Sequence, residues 1–236
     1  MKHANFRNCE FITKFHASCT PNLETLNLVG CGNLVEIDAS FGLLKKLKWC
    51  SLVGCSKLQF LPSQLRLKSL NYFDLRYCSS LEKFPEIHPE MECLKILTLC
   101  FSGIKLMPAC NSFWMIREIN LRECENIVEL DFLMKLDCFP QLECLILSGT
   151  KIITIPESFS RFPRLESLQV ENCKQLREIQ GLPQSIRYLY ARNCQQLREI
   201  QGLPLSINCV YATDCMLLDT QSLLNQVCFS FFLFLS

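Results

Sequence analysis

The stretch QLREIQGLPQSI, residues 175–186, returns as QLREIQGLPLSI at residues 196–207, with only Gln184 against Leu205 differing. A chain that repeats itself at a period of 20–50 residues is a stack of similar units, and that possibility comes before any other reading of the fold. Both copies follow a shorter phrase that ends in Cys: LESLQVENC (165–173) and IRYLYARNC (186–194). The same phrase occurs upstream as LETLNLVGC (23–31), LKWCSLVGC (47–55), LNYFDLRYC (70–78) and IREINLREC (116–124). Two copies end on a hydroxyl residue, LKILTLCFS (94–102) and LECLILSGT (142–150). A further copy is INCVYATDC (207–215), and a ragged first one is MKHANFRNC (1–9). The template is L-x-x-L-x-L-x-x-C, in ten copies spaced by steps of 21 to 26 residues.

Alternation at the fourth and sixth places, as in Leu26 and Leu28 or Phe73 and Leu75, has period two and predicts a short strand with one buried face. The ninth residue is small and sits where the chain turns away from that strand, so its thiol or hydroxyl can donate to a nearby carbonyl. An apolar residue follows three places later (Leu34, Leu58, Leu81, Ile127, Leu176, Leu197). Pro62, Pro85, Pro108 and Pro156 then close several units and favour an extended or irregular return over a long helix. One unit cannot bury its apolar face alone, whereas stacked units share a continuous core. The expected fold is an α/β leucine-rich-repeat solenoid: a curved parallel β-sheet on the concave face and a mostly irregular or short helical convex side. The repeats should occupy residues 1–225 and leave an apolar C-terminal tail over 226–236.

The composition is 49% hydrophobic and 20% charged, with a formal net charge of +1, so no basic excess points to nucleic acid as partner. Of the 17 cysteines, at least seven (Cys31, Cys55, Cys78, Cys124, Cys173, Cys194, Cys215) are explained by the ninth repeat position. There is no Cys-x-x-Cys pair, and His3, His16 and His88 lack ligand spacing, which argues against a zinc site. Buried free thiols, no secretory leader and no Asn-x-Ser/Thr sequon together predict a cytoplasmic, or nuclear, protein. No cofactor and no catalytic constellation is expected. His88 lies in the proline-flanked turn PEIHPEM, and Arg177–Glu178 and Arg198–Glu199 read as exposed ion pairs between neighbouring coils. The tail VCFSFFLFLS (227–236) is apolar at eight of ten places but too short for a bilayer, which takes about 20 residues. Neither end carries a polar cap, so the chain reads as part of a larger protein.

PNLETLNLVGCGNLVEIDASFGLLKKLKWCSLVGCSKLQFLP (21–62), LRYCSSLEKFPEI and LILSGTKIITIPESF resemble the repeat region of plant intracellular disease-resistance receptors. These are the nucleotide-binding leucine-rich-repeat proteins with a Toll/interleukin-receptor-like front domain, similar to the tobacco-mosaic-virus resistance protein. The resemblance runs over residues 5–225. The chain shows neither a G-x-x-x-x-G-K-[ST] phosphate loop nor the Toll-like domain, so the family's nucleotide switch and NAD cleavage are not carried over to it. What the resemblance implies is sensing: binding of a pathogen effector, a guarded host protein or the receptor's own nucleotide-binding domain. A second reading is the substrate-recognition arm of an F-box-type ubiquitin ligase, whose repeats also end in Cys but keep a steadier period near 26 with a helix per unit.

The x positions of the strand phrase should point out of the sheet and be free to serve a partner. They offer two groups rich in the residue types that dominate interface energetics. The first is Trp49, Tyr72, Asp74, Arg76, Tyr77 and Phe101; the second is Tyr188, Tyr190, Arg192 and Tyr211, with Glu118 and Arg122 between them. As ordinary surface residues, Tyr72 and Arg76 should each tolerate alanine at a cost within about 0.5 kcal/mol.

Overall fold

A computed structural model describes residues 1–18, 20–108, 113–133, 139–226 and 232–235. Residues 227–231 and 236 of the apolar tail lie outside it.

Each template phrase supplies one three-residue strand at its third to fifth places. They are β1 (His3–Asn5), β2 (Thr25–Asn27), β3 (Trp49–Ser51), β4 (Tyr72–Asp74), β5 (Ile96–Thr98), β6 (Glu118–Asn120), β7 (Cys144–Ile146), β8 (Ser167–Gln169), β9 (Tyr188–Tyr190) and β10 (Cys209–Tyr211). A further strand, β11 (Phe232–Phe234), comes from the tail. The strands form one parallel sheet in chain order, so each rung pairs only with its neighbours. Register is set by the template: Leu26 lies against Cys50, Cys50 against Phe73 and Phe73 against Leu97. These fourth-place side chains, with the sixth-place Leu28, Leu52, Leu75 and Leu99, are buried in one continuous core.

The side opposite the long sheet is built from short extended pieces and 3₁₀ turns. Thr154–Ile155, Glu178–Ile179 and Glu199–Ile200 form a three-stranded parallel sheet, and two further pairs occur nearer the start. The 3₁₀ turns span Ala39–Leu43, Asp131–Leu133 and Glu157–Arg161. Among the described residues α-helix occurs only at Thr220–Asn225. Its first turn is capped by the Asp219 carboxylate, which accepts from the Ser222 N–H. Identical REI text in consecutive units places Glu178 beside Glu199, like charge beside like. The ion pairs expected of Arg177–Glu178 and Arg198–Glu199 are therefore not formed among the described residues, and Glu178 accepts from Gln180 Nε2 at 2.8 Å instead.

The ninth-place cysteine has a defined task. The Cys31 thiol donates to the Phe6 carbonyl at 3.0 Å, Cys55 to Leu28 at 3.2 Å and Cys78 to Leu52 at 3.3 Å. Cys124 reaches Leu99, Cys173 Leu147, Cys194 Val170 and Cys215 Ala191, over 2.9–3.2 Å. In every case the acceptor is the sixth-place carbonyl of the preceding repeat. Several of these carbonyls also accept the N–H of their own ninth residue, as Leu28 does from Cys31 and Leu99 from Ser102. The shorter hydroxyl of Thr150 bonds within its own turn, to Leu147 O at 2.6 Å. Burial raises the Cys31, Cys78, Cys124 and Cys173 thiols above their ordinary pKa and pushes Cys55 up to about 12. They are held as protonated donors.

Two outcomes follow from this packing. Leu75→Ala should lower stability by about 2–5 kcal/mol in a urea melt, whereas Tyr188→Ala, on the outer face of β9, should stay within about 0.5 kcal/mol. Under native conditions at pH 8, brief iodoacetamide treatment followed by mass spectrometry should modify exposed Cys93 first among the described cysteines. Cys31, Cys55, Cys78, Cys124 and Cys173 should react only after denaturation.

Candidate protein-interaction surface

The outer face of the long sheet is organised in rows, because each template place recurs one strand further on. The third-place row carries Trp49, Tyr72, Glu118 and Tyr188, and the fifth-place row Asp74, Tyr190 and Tyr211. Arg76, Arg122 and Arg192 follow at the seventh place, and Tyr77 and Phe101 at the eighth.

The first predicted group resolves into two stacked pairs on opposite borders of the sheet. Trp49 lies parallel to Tyr72 at 6.1 Å, and Tyr77 parallel to Phe101 at 4.8 Å. An ion pair lies between them. Asp74 accepts the Tyr72 hydroxyl at 3.0 Å, the Arg76 Nη2 at 2.8 Å and the Arg76 Nε at 3.0 Å. Asp74 is only 2% exposed, so it does not present itself to a partner as the sequence pattern suggests. Ser51 and Thr98 beside it in the fifth-place row are buried too. The reason is local. A fifth-place Asn or Asp turns back to accept the N–H two residues on, as Asn27 does from Val29, Asp74 from Arg76 and Asn120 from Arg122. Tyr72 and Arg76 then cover Asp74, so neither is a plain surface residue.

The second predicted group holds together in the fifth-place row. Tyr190 stacks on Tyr211 at 5.0 Å, and Tyr211 stacks on Phe234 at 4.7 Å. The Arg192 guanidinium sits 4.6 Å above the Tyr211 ring and 3.7 Å from Glu171. Tyr188 borders the same groove, with Cys209, Phe232 and Phe234. Phe234 was not among the sequence candidates. Its signal was present: Phe-Leu-Phe keeps the alternation of the strands and follows Cys209–Tyr211 by 23 residues, within the range of repeat steps. Between the groups, Glu118 is half-buried beside Cys144, and Arg122 is exposed. Burial first, and the Glu118 charge second, push the Cys144 thiol up to about 11.

A second feature went unread in the sequence. All ten eighth-place residues have positive φ, from 55° to 75°. Seven of them are Gly, Asn or Asp, the types suited to left-handed backbone, and the other three are Tyr77, Phe101 and Glu123, in consecutive repeats. Left-handed backbone costs an ordinary L-residue roughly 1–2 kcal/mol.

The second-place row supplies electrostatics along the sheet border. Glu24 bridges Lys48 at 2.8 Å and Lys2 at 3.0 Å, and these two ammonium groups hold its carboxyl down at about 2. Among the described residues no group of three or more His, Cys, Asp and Glu is placed to hold a metal, and no helix is long and apolar enough to cross a membrane. The surface offers aromatic faces, guanidinium groups and fixed strand edges, which suit recognition of another protein.

Residues 109–221 match the leucine-rich repeats of RPS4B-like disease resistance proteins. The chain is 30% identical over 197 residues to the disease resistance-like protein DSC1 of Arabidopsis thaliana, an alignment covering 72% of this chain and 16% of that protein. It is 30% identical over 166 residues to the TMV resistance protein N of Nicotiana glutinosa, covering 70% of this chain and 12% of that protein. The chain's leucine-rich repeats are similar to those of plant disease-resistance proteins. The chain spans roughly an eighth to a sixth of the length of these relatives, 12–16%. Among solved structures, the leucine-rich repeat domain of the type III effector XopL superposes with a TM-score of 0.56 at 17% identity, over 94% of this chain and 72% of that one. YopM of Yersinia enterocolitica does so with a TM-score of 0.56 at 21% identity, over 86% and 44%. Those two likenesses establish the solenoid fold.

In this repeat segment the Asp74–Arg76 pair gives a test of which surface residues are also structural. Arg76→Ala should cost about 1–3 kcal/mol in urea denaturation, because it leaves a buried carboxylate short of donors. The double change Asp74→Asn with Arg76→Val rebuilds the Asn27–Val29 arrangement of another repeat and should recover most of that loss. Equal losses in the single and double variants would contradict the assignment.

Proposed function

We propose that this chain is the sensing part of a plant intracellular immune receptor. It binds a pathogen effector or a guarded host protein, or holds the receptor's own nucleotide-binding domain, and performs no chemistry itself. The observation that carries the reading is the pair of aromatic–arginine groups, Trp49–Tyr72–Arg76–Tyr77–Phe101 and Tyr188–Tyr190–Arg192–Tyr211, set on one rigid sheet. Rigid aromatic and guanidinium side chains add contact area at low entropic cost, and such residues dominate binding energy at protein interfaces. The relatives' names supply the immune context. A cytoplasmic or nuclear setting agrees with ladder thiols that are reduced and act as hydrogen-bond donors. Glu118 and Arg122, between the two groups, are assigned to the rim of the same surface.

The test is proximity labelling in plant cells with the wild-type chain and with Trp49→Ala/Tyr188→Ala, after urea melts have matched their stability. A reproducible protein neighbour that is lost in the variant would support sensing through this face. Identical neighbour sets, or chaperones and degradation machinery alone, would sink it.

A further inference from the structure

We infer that the Tyr77–Phe101 pair is a docking shelf for a partner loop that presents an apolar or aromatic side chain next to a carboxylate. The inference rests on the recognition reading above and gives it a seat and a chemistry. The seat is the turn at the sheet border, not the middle of the sheet.

The first argument is conformational. The backbone at the eighth place is left-handed in every repeat, and seven of ten repeats fill it with Gly, Asn or Asp. Tyr77 (φ 61°) and Phe101 (φ 57°) keep bulky rings there. Nothing in the turn requires an aromatic residue, since Gly54 in the preceding repeat makes the same turn with the same N–H to carbonyl bond that Tyr77 and Phe101 make. Strained backbone that the local fold does not need points outward to function.

The second argument is exposure. The two rings stack on each other at 4.8 Å and 8°, yet remain 49% and 41% exposed. They form a flat apolar face already ordered for a third ring or an aliphatic side chain. The Tyr190–Tyr211–Phe234 stack differs, because Arg192 already covers Tyr211 and leans toward Glu171.

The third argument is charge. Two arginines stand next to the shelf in the seventh-place row: Arg76 precedes Tyr77 in the chain, and the Arg122 carbonyl accepts the Phe101 N–H. Arg76 uses Nε and Nη2 on Asp74, and its side chain is 45% exposed. Arg122 is exposed, and among the described residues no carboxylate forms an ion pair with it. The nearest acid in sequence, Glu123, folds the other way: its carboxylate lies over Gly149, within 2.5 Å of where a Cβ would stand. The shelf is thus apolar in its middle and cationic at its flank. A guanidinium with open donors takes a carboxylate in bidentate fashion. The occupant that fits is an acidic–apolar loop.

The experiment is a selection of random dodecapeptides displayed on phage against the full chain, followed by titration of fluorescein-labelled winners. Winners should carry Asp or Glu within about two residues of Trp, Phe or Leu, as the flanking guanidiniums require. Tyr77→Asn/Phe101→Asn should weaken their binding at least about tenfold, as for loss of a central aromatic anchor. Arg122→Gln should weaken it less and flatten its salt dependence. Because asparagine suits left-handed backbone, the double variant should melt at or above the wild-type temperature. A fall of more than about 5 °C would make the rings a structural cap and overturn the inference. Winners that are basic or uncharged, or whose binding ignores the double variant, would overturn the shelf while leaving recognition elsewhere on the face intact. A selection that enriches no peptide above background would count against both.

Discussion

The sixth-place carbonyl sets the geometry of this solenoid. It accepts an N–H from its own turn, as Leu28 does from Cys31, and a thiol from the repeat that follows, as Leu28 does from Cys55. The first bond curls the chain off the strand; the second ties one coil to the next. Where the ninth residue is Cys, its thiol spans the gap between coils. Where Thr150 stands instead, its hydroxyl closes on its own turn. The same curl forces the eighth residue into left-handed backbone in all ten repeats. The thiol ladder and the turn that displays Tyr77 and Phe101 are thus two consequences of one hydrogen-bonding arrangement.

The buried half of the structure was legible because it is periodic. Leu26, Leu28, Phe73 and Leu75 alternate in the text and alternate in space. The thiol was readable as a donor, but its acceptor was not, since a single repeat contains no sign of which neighbour supplies the carbonyl. The exposed half was harder to read. Treating all x places as equivalent hid the difference between the fifth, where Asp74 turns inward to its own backbone, and the eighth, where φ is positive. The Gly, Asn and Asp at seven eighth places were visible, yet only the structure shows that the turn is left-handed and that Tyr77 and Phe101 stack there. The tail was hard to read for another reason. Its apolar run reads as unspecific, but Phe232–Phe234 adds one more rung and carries the Tyr211 stack onward.

Likeness to known proteins divides along the same line. The bacterial solenoids share the coil at 17% and 21% identity, which fixes the fold and leaves the presented residues unconstrained. The plant relatives are 30% identical over 197 and 166 residues. What no likeness supplies is the content of the outer rows. In a stacked array those residues contribute little to the core, so their chemistry has to be read from their own partners.

The charges of the two sides show how a copied scaffold and a varied surface behave differently under one stacking rule. In-register stacking places each residue beside its counterpart in the next repeat. On the return side the copied REI text puts Glu178 against Glu199, and like charges in neighbouring coils repel. Glu178 turns instead to a local amide, accepting from Gln180. On the long-sheet side the second-place row reads Lys2, Glu24, Lys48, and stacking produces a continuous bridge. Arg117 and Glu143 repeat that alternation further along. Arg122, one repeat on from Phe101, has no carboxylate partner among the described residues. Charge that the array could have cancelled by alternation, and did not, is the part of the surface free to meet a partner.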